Sequence, residues 1–184
     1  MLGRTHERAA NPSVSTSSAP TSKARRALVR FAASGPGSWL FARTMHHIDR
    51  PVYRLTNGRH TFASLLSGLP VVMLTTTGAR SGASRTVPVI GLPTSDGLAV
   101  IASNYGQSSH PAWYYNLRAH ADGVLGVDGV QRGFRAREAT GDERARIWAF
   151  ALNVYPGWSQ YERRASNRTI AVFVLDELPS ATEK

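Results

Sequence analysis

Between Leu69 and Thr94 the chain runs LPVVMLTTT, then GARSGAS, then RTVPVIGLPT. Two apolar, β-branched runs flank a spacer of small residues, so the stretch reads as two strands joined by a hairpin loop. A further turn signal, Asp96-Gly97, precedes LAVIAS as a third strand. HPAWYYNLRAHA reads as a short helix with Pro111 tolerated in its first turn. VLGV, Asp128-Gly129 and VQRGFRAREA make a second hairpin. Thr140 followed by Glu143 has the capping-box pattern and opens the helix ERARIWAFALNVY, which Pro156 ends. WSQYERRA is a second short helical segment, and TIAVFVLDEL closes as a strand. About six strands with several helices and no alternating βαβ units predict an antiparallel α+β barrel or sandwich.

The residues ahead of this region differ in kind. Positions 1–24 are rich in Ser, Thr, Ala and Pro and nearly free of large apolar side chains, the composition of a disordered tail. An organelle transit peptide is the alternative reading, and a secretory signal is disfavoured because no apolar core follows the early charges. Positions 25–60 carry a basic amphipathic segment, ARRALVRFAAS, and helical turns over Ser38–Leu55 interrupted at Pro51. Positions 61–178 form the expected folded domain, and 179–184 a short C-terminal tail.

Composition excludes several chemistries. The 184 residues include no cysteine, which removes a disulfide framework, a thiolate nucleophile and Cys-ligated zinc; no metal site is expected. Twenty-two Lys and Arg against twelve Asp and Glu give a formal charge of +10, which favours an anionic partner. The basic residues are dispersed and no nucleic-acid-binding motif surrounds them, so nucleic acid is not the expected partner. No uncharged apolar run approaches the roughly 18 residues of a spanning helix.

The hairpin loop is the place where charge and geometry meet. Gly78 and Gly82 permit a tight turn with outward-facing amides, and Arg80 and Arg85 beside it could fork onto phosphate or carboxylate oxygens. A solvated hairpin kept soluble by its arginines explains the loop equally well. Neither GxxxxGK[ST] nor GxGxxG after a strand is present, so nucleoside triphosphate hydrolysis has no support.

Three separated stretches, GLPVVMLTTTGARSGASRTVPVIGLP, ASNYGQSSHPAWYYNL and RAREATGDERARIWAFALNVYPGWSQYERRASNRTIAVFVL, in this order resemble the deazaflavin-dependent nitroreductase family of split-barrel oxidoreductases. The resemblance covers roughly Ile48 to Leu178. It implies a split β-barrel that binds coenzyme F420, a 5-deazaflavin with a phosphodiester and an oligoglutamate tail, and passes hydride from its reduced form to a small organic acceptor: a quinone, an activated alkene or a nitro compound. By the same resemblance Arg80, Ser81 and Arg85 clamp anionic groups, with Thr86, Val87 and Pro88 continuing along the cofactor. Ser103, Asn104, Tyr105 and Gly106 would lie along the ring, and Pro111, Trp113 and Asn116 complete the implied cofactor contacts. From the residues alone Trp113 reads better as core packing, and Asn116 as a group that orients the tail or a loop. Ile90, Tyr155, Trp158 and Tyr161 fall where relatives face the acceptor, the last three on one face if their segment is helical. An aromatic stripe packed on the barrel is the competing reading.

A cofactor that carries the hydride chemistry asks the protein mainly for alignment, which accounts for the lack of a visible catalytic triad. Ser103 and Tyr155 are the candidates to supply the acceptor's proton, beside water. His110, at a helix start, reads as a structural feature. A cytoplasmic protein is expected, with peripheral membrane contact through the basic N-terminal segment left open. Two alternatives stand: a split barrel that binds the deazaflavin or a lipid without turnover, and an FMN-dependent oxidase of the same barrel type.

Overall fold

The computed structural model describes residues 69–179, Asp96 excepted. The N-terminal tail, the basic helical segment and the Asp96 half of the Asp-Gly turn lie outside the described residues. Seven strands form one sheet: β1 Val71–Thr77, β2 Ser84–Ile90, β3 Leu92–Pro93, β4 Gly97–Ile101, β5 Asp122–Val127, β6 Val130–Glu138 and β7 Val172–Glu177. Their spatial order is β2-β1-β5-β6-β7-β4-β3, with every pair antiparallel. Among the described residues three α-helices accompany them: α1 Ala112–Ala119, α2 Gly141–Val154 and α3 Trp158–Arg164.

The two outermost strands, β2 and β3, are consecutive in the chain and separated only by Gly91. One continuous stretch therefore pairs with β1 over its first part and with β4 over its last two residues, which curls the sheet into a barrel. RTVPVIGLPT, expected as a single strand, is thus divided, and the count is seven. The reason lies at Gly91, where an added Cβ would sit 3.0 Å from Val72 and 3.4 Å from Leu98. Only a residue without a side chain lets the corner come so near the wall.

Alternation decides what fills the barrel. Val72 and Leu74 on β1, Leu98 and Val100 on β4, and Phe173 and Leu175 on β7 point inward with Leu125 and Phe134, and Val87 and Val89 of β2 pack on them. Helix α1 closes one end with Trp113, Tyr114 and Leu117. The intervening residues of β4 and β7, Ala99, Ile101, Val172 and Val174, face a second cluster made with Trp148, Ala151, Tyr155, Trp158 and Tyr161 from the α2–α3 region. Both strands are consequently buried on two faces, and their sequences read as unbroken apolar runs.

The helix that follows β6 starts at Thr140, as its sequence suggests, but the capping box does not form. The Thr140 side chain makes no capping bond, and the Glu143 carboxylate is drawn instead to Arg137, at 2.6 and 2.8 Å. Arg137 also reaches Asp176 at 3.0 Å, tying β6, α2 and β7 together. A two-point guanidinium fork is a stronger claim on a carboxylate than a single backbone amide.

Candidate active site

The β1–β2 loop is held by its own backbone. Gly78 N–H donates to Ala83 O at 2.9 Å, Gly82 N–H donates to Gly78 O at 2.8 Å, and Gly82 takes φ +65°. An outside anchor comes from α1, whose buried Asn116 accepts the Ala79 N–H on Oδ1 and donates from Nδ2 to Thr76 Oγ1, both at 3.0 Å. The structure thus brings Asn116 to the hairpin and uses its amide to position the loop that carries Arg80. Replacing Asn116 by alanine leaves the Ala79 amide and the Thr76 hydroxyl without this partner, an expected loss of about 1–3 kcal/mol, measurable by denaturant unfolding.

Charge is distributed unevenly. Arg132, Arg135 and Arg137 are neutralised by Glu177, Asp122 and the Glu143/Asp176 pair. Arg80 and Arg85 are exposed, and neither forms an ion pair among the described residues. Ser81 turns its Oγ back to the Ala83 amide, 3.3 Å away.

Strand β2 offers its backbone as well. Among the described residues it pairs only with β1, and Pro88, which has no N–H, fits where the nitrogen faces the free edge. Thr86 then shares that parity and aims its N–H and C=O at the same edge. Its side chain lies on the outer face, bonded to Thr75 Oγ1 at 2.9 Å. Val87 packs its side chain on the barrel core, and its backbone groups face β1 rather than the free edge. Ile90 packs against the second cluster.

Past Gly91 the same stretch, as β3, pairs with β4. The β3–β4 register sets Leu92 opposite Ala99 and Pro93 opposite Leu98. The ladder itself ends at Leu92, and this is where the barrel is split. Arg85–Pro88, singled out from the sequence, lies on β2 before that break, and Ser103–Gly106 follows the end of β4.

The segment that follows β4 is unusual in its backbone. Asn104, Tyr105 and Gly106 are all left-handed, with φ of 46°, 55° and 75°. For Asn104 and Tyr105 this conformation is strained, and strain of this kind concentrates at functional sites. Asn104 offsets part of it by donating from Nδ2 to Ser109 O at 3.0 Å. Glycine is required at position 106, where a Cβ would come within 2.8 Å of Tyr161 O.

The α3 region holds this loop from behind. Arg164 Nη2 donates to Tyr105 O at 3.0 Å, Asn167 Nδ2 to Ser108 O at 3.2 Å, and Arg168 to Gln107 O, Ala102 O and Ser103 O at 3.1, 3.2 and 2.8 Å. Sequence reading missed all three residues. ERRASNR looks like an ordinary solvated helix end, and nothing local marks its partners about 60 positions away.

His110 joins the same network, stacked on Tyr114 with centroids 3.8 Å apart and with Nδ1 3.3 Å from Arg168 Nη1. A guanidinium can only donate, so Nδ1 accepts and the proton resides on Nε2. Burial first, then the Arg168 and Arg118 charges, lower the His110 pKa below its ordinary 6.5, against an opposing pull from Glu138. A histidine whose folded pKa is depressed contributes stability that is full above about 6.5 and is lost as pH falls toward the folded value. Stability is expected to decline in that window, and His110→Asn, which keeps an acceptor without titrating, should flatten the decline in unfolding curves from pH 8 to 5.

Of the aromatic set, Trp158 and Tyr161 lie on α3, whereas Tyr155 sits just past the end of α2. Helical spacing therefore does not align the three; the Pro156-Gly157 turn does. An added Cβ at Gly157 would overlap the Tyr155 ring, so the turn closes tightly beneath it. All three are buried, and the Tyr155 and Tyr161 hydroxyls bond each other at 2.9 Å. Burial raises the Tyr155 pKa, with the Tyr161 bond opposing, so its phenol stays protonated. Tyr105 meets Tyr161 edge-on at 6.1 Å, linking the left-handed loop to this cluster. Trp113 is core, edge-on to Phe173 at 6.1 Å, and Pro111 takes the N-cap position of α1.

The curled, seven-stranded antiparallel sheet with the α2–α3 cluster on its side is a split β-barrel. A sequence model described as F420H(2)-dependent quinone reductase matches residues 42–177. The chain belongs to that family. An F420H(2)-dependent quinone reductase of Mycobacterium tuberculosis is 32% identical over 128 residues, which cover 67% of this chain and 84% of the relative. Among solved structures, one described as an F420-H2 dependent reductase is 34% identical with a TM-score of 0.54, covering 58% of this chain and 94% of its own. Another, described as a domain-swapped dimer, is 30% identical with a TM-score of 0.56, covering 77% and 100%.

Proposed function

We propose that this chain is a reductase that uses reduced coenzyme F420 to reduce a quinone-type small molecule, with the deazaflavin seated in the split between β2 and residues 102–110. The observation that carries the reading is that two stretches the family resemblance assigns to the cofactor both stand out in the structure: β2 has a free edge beside exposed Arg80 and Arg85 that form no ion pair among the described residues, and residues 104–106 form a clamped left-handed loop. The residues fit the cofactor's chemistry. Arg80 and Arg85 would meet the phosphate and carboxylates, Ser81 lies between them in the chain, and Thr86 and Pro88 would offer main-chain groups to the cofactor.

The bound cofactor supplies the hydride; the protein aligns donor and acceptor and manages the proton. Ser103 and Tyr105, with Asn104 and Gly106 setting the loop's shape, form the wall against the ring. Tyr155 holds a proton on a hydroxyl kept neutral by burial and paired with Tyr161, and Ser103 is the alternative donor at the split itself. Tyr161 and Trp158, with Ile90, exclude water behind the loop. The preference for a quinone among the acceptors follows the family and its named relatives.

Titration with coenzyme F420 and with FMN, followed by addition of a soluble quinone to the reduced complex, tests this. Selective F420 binding and quinone-dependent reoxidation are expected. Preferential FMN binding would shift the reading to an FMN-dependent oxidase, and tight F420 binding without reoxidation to a non-catalytic carrier. No helix among the described residues is long and apolar enough to cross a membrane.

A further inference from the structure

Arg168 stands apart from the other arginines in what it touches. Its guanidinium reaches four acceptors, the carbonyls of Ala102, Ser103 and Gln107 and the Nδ1 of His110, and all four belong to the single segment that follows β4. It forms no salt bridge among the described residues, so its charge is met by dipoles alone. Partly burying a cation without a carboxylate beside it costs free energy, and here that cost supports a loop that is itself left-handed at Asn104 and Tyr105. The contacts fall on both sides of the left-handed residues, with Ala102 and Ser103 before them and Gln107 and His110 after. A planar fork with fixed donor directions can hold both ends of such a turn at a set separation, which a point charge on a flexible stem cannot.

We propose that Arg168 is a positioning residue for the cofactor: by bracketing residues 104–106 it fixes the left-handed turn in the shape that receives the deazaflavin ring. It touches neither cofactor nor acceptor and acts only through the loop. The inference rests on the functional reading above, in which that loop is a wall of the cofactor site.

The test compares wild type with Arg168→Lys and Arg168→Gln in three measurements: amide hydrogen exchange across residues 102–110, F420 affinity by titration, and kcat and KM for a soluble quinone with reduced F420. Lysine keeps the charge and loses the fork, so it is the variant expected to fold. The expected result is faster exchange confined to the loop and F420 binding weaker by about tenfold to a hundredfold. The quinone KM should change little while kcat falls, because alignment of the hydride is what is lost. Added guanidinium ion should restore part of the affinity of Arg168→Gln, an effect a general packing defect would not show.

Unchanged loop exchange in a folded Arg168→Lys protein overturns the proposal, as does faster exchange with wild-type F420 affinity. If Arg168→Gln does not fold, the Arg168→Lys exchange and affinity data alone decide between these outcomes. Failure of wild type to bind F420 would overturn the functional reading and with it the role toward this cofactor. Wild-type binding with equal binding by the variants would overturn only the role given to Arg168.

Discussion

Arg80→Ala and Arg85→Ala are each expected to weaken coenzyme F420 binding about tenfold to a hundredfold, since a hydrogen bond to a charged group is worth about 1.5–3 kcal/mol and less where water screens it. Both side chains are exposed, so the lower part of that range is the natural expectation at physiological salt. The loss should be larger for the tailed cofactor than for a bare deazaflavin lacking phosphate and glutamates, because a guanidinium contributes only against the charge it meets. Raising ionic strength should weaken the wild type more than either variant, as exposed pairs are screened over about 10 Å at 0.1 M while ring contacts are not. Calorimetric titration at two salt concentrations distinguishes the cases. Equal binding of tailed and bare compounds by wild type and variants would return the hairpin to a solvated loop.

Trp158→Ala is expected to have the largest effect on stability. Trp158 is only 3% exposed, meets Tyr155 edge-on at 5.5 Å and belongs to the cluster under β4 and β7. Truncating a buried tryptophan costs about 3–5 kcal/mol, a large share of the roughly 5–15 kcal/mol that holds a domain together. The melting temperature should fall by roughly 6–20 °C. Because Trp158 supports Tyr155, kcat/KM for bulky planar acceptors should also change, with F420 affinity largely intact. Unchanged kinetics per folded molecule alongside the lost stability would make the aromatic set a packing element alone.

These three substitutions show which parts of the protein could be read in advance. The Arg80/Arg85 loop was legible because a hairpin is local: its flanking strands, glycines and charges all lie within one short stretch, and the structure places them as the residues suggest. The same holds for the β5–β6 hairpin and for α1 with Pro111 at its start. The class of fold followed from short strands without βαβ alternation. The resemblance of three ordered motifs led to coenzyme F420, because motifs preserve chemistry even when local physics leaves alternatives open.

The rest was decided by the tertiary structure. Thr140 and Glu143 have the capping pattern, yet Arg137, on the neighbouring strand, takes the carboxylate with a better geometry than the backbone offers. Tyr155, Trp158 and Tyr161 have helical spacing, yet a turn at Gly157 brings them together, and burial in the α2–α3 cluster is a property of the packed sheet. Gly91 is an unremarkable glycine until the barrel closes around it. Arg168 carries no sign of its role in ERRASNR, since the carbonyls it holds come from residues 102–107 and only the pairing of β4 with β7 brings the two segments together. A residue's propensity and spacing depend on its neighbours in sequence, and those the chain states by itself. A side chain's partner depends on which distant groups the fold brings within a few ångströms, and that only the closed barrel determines.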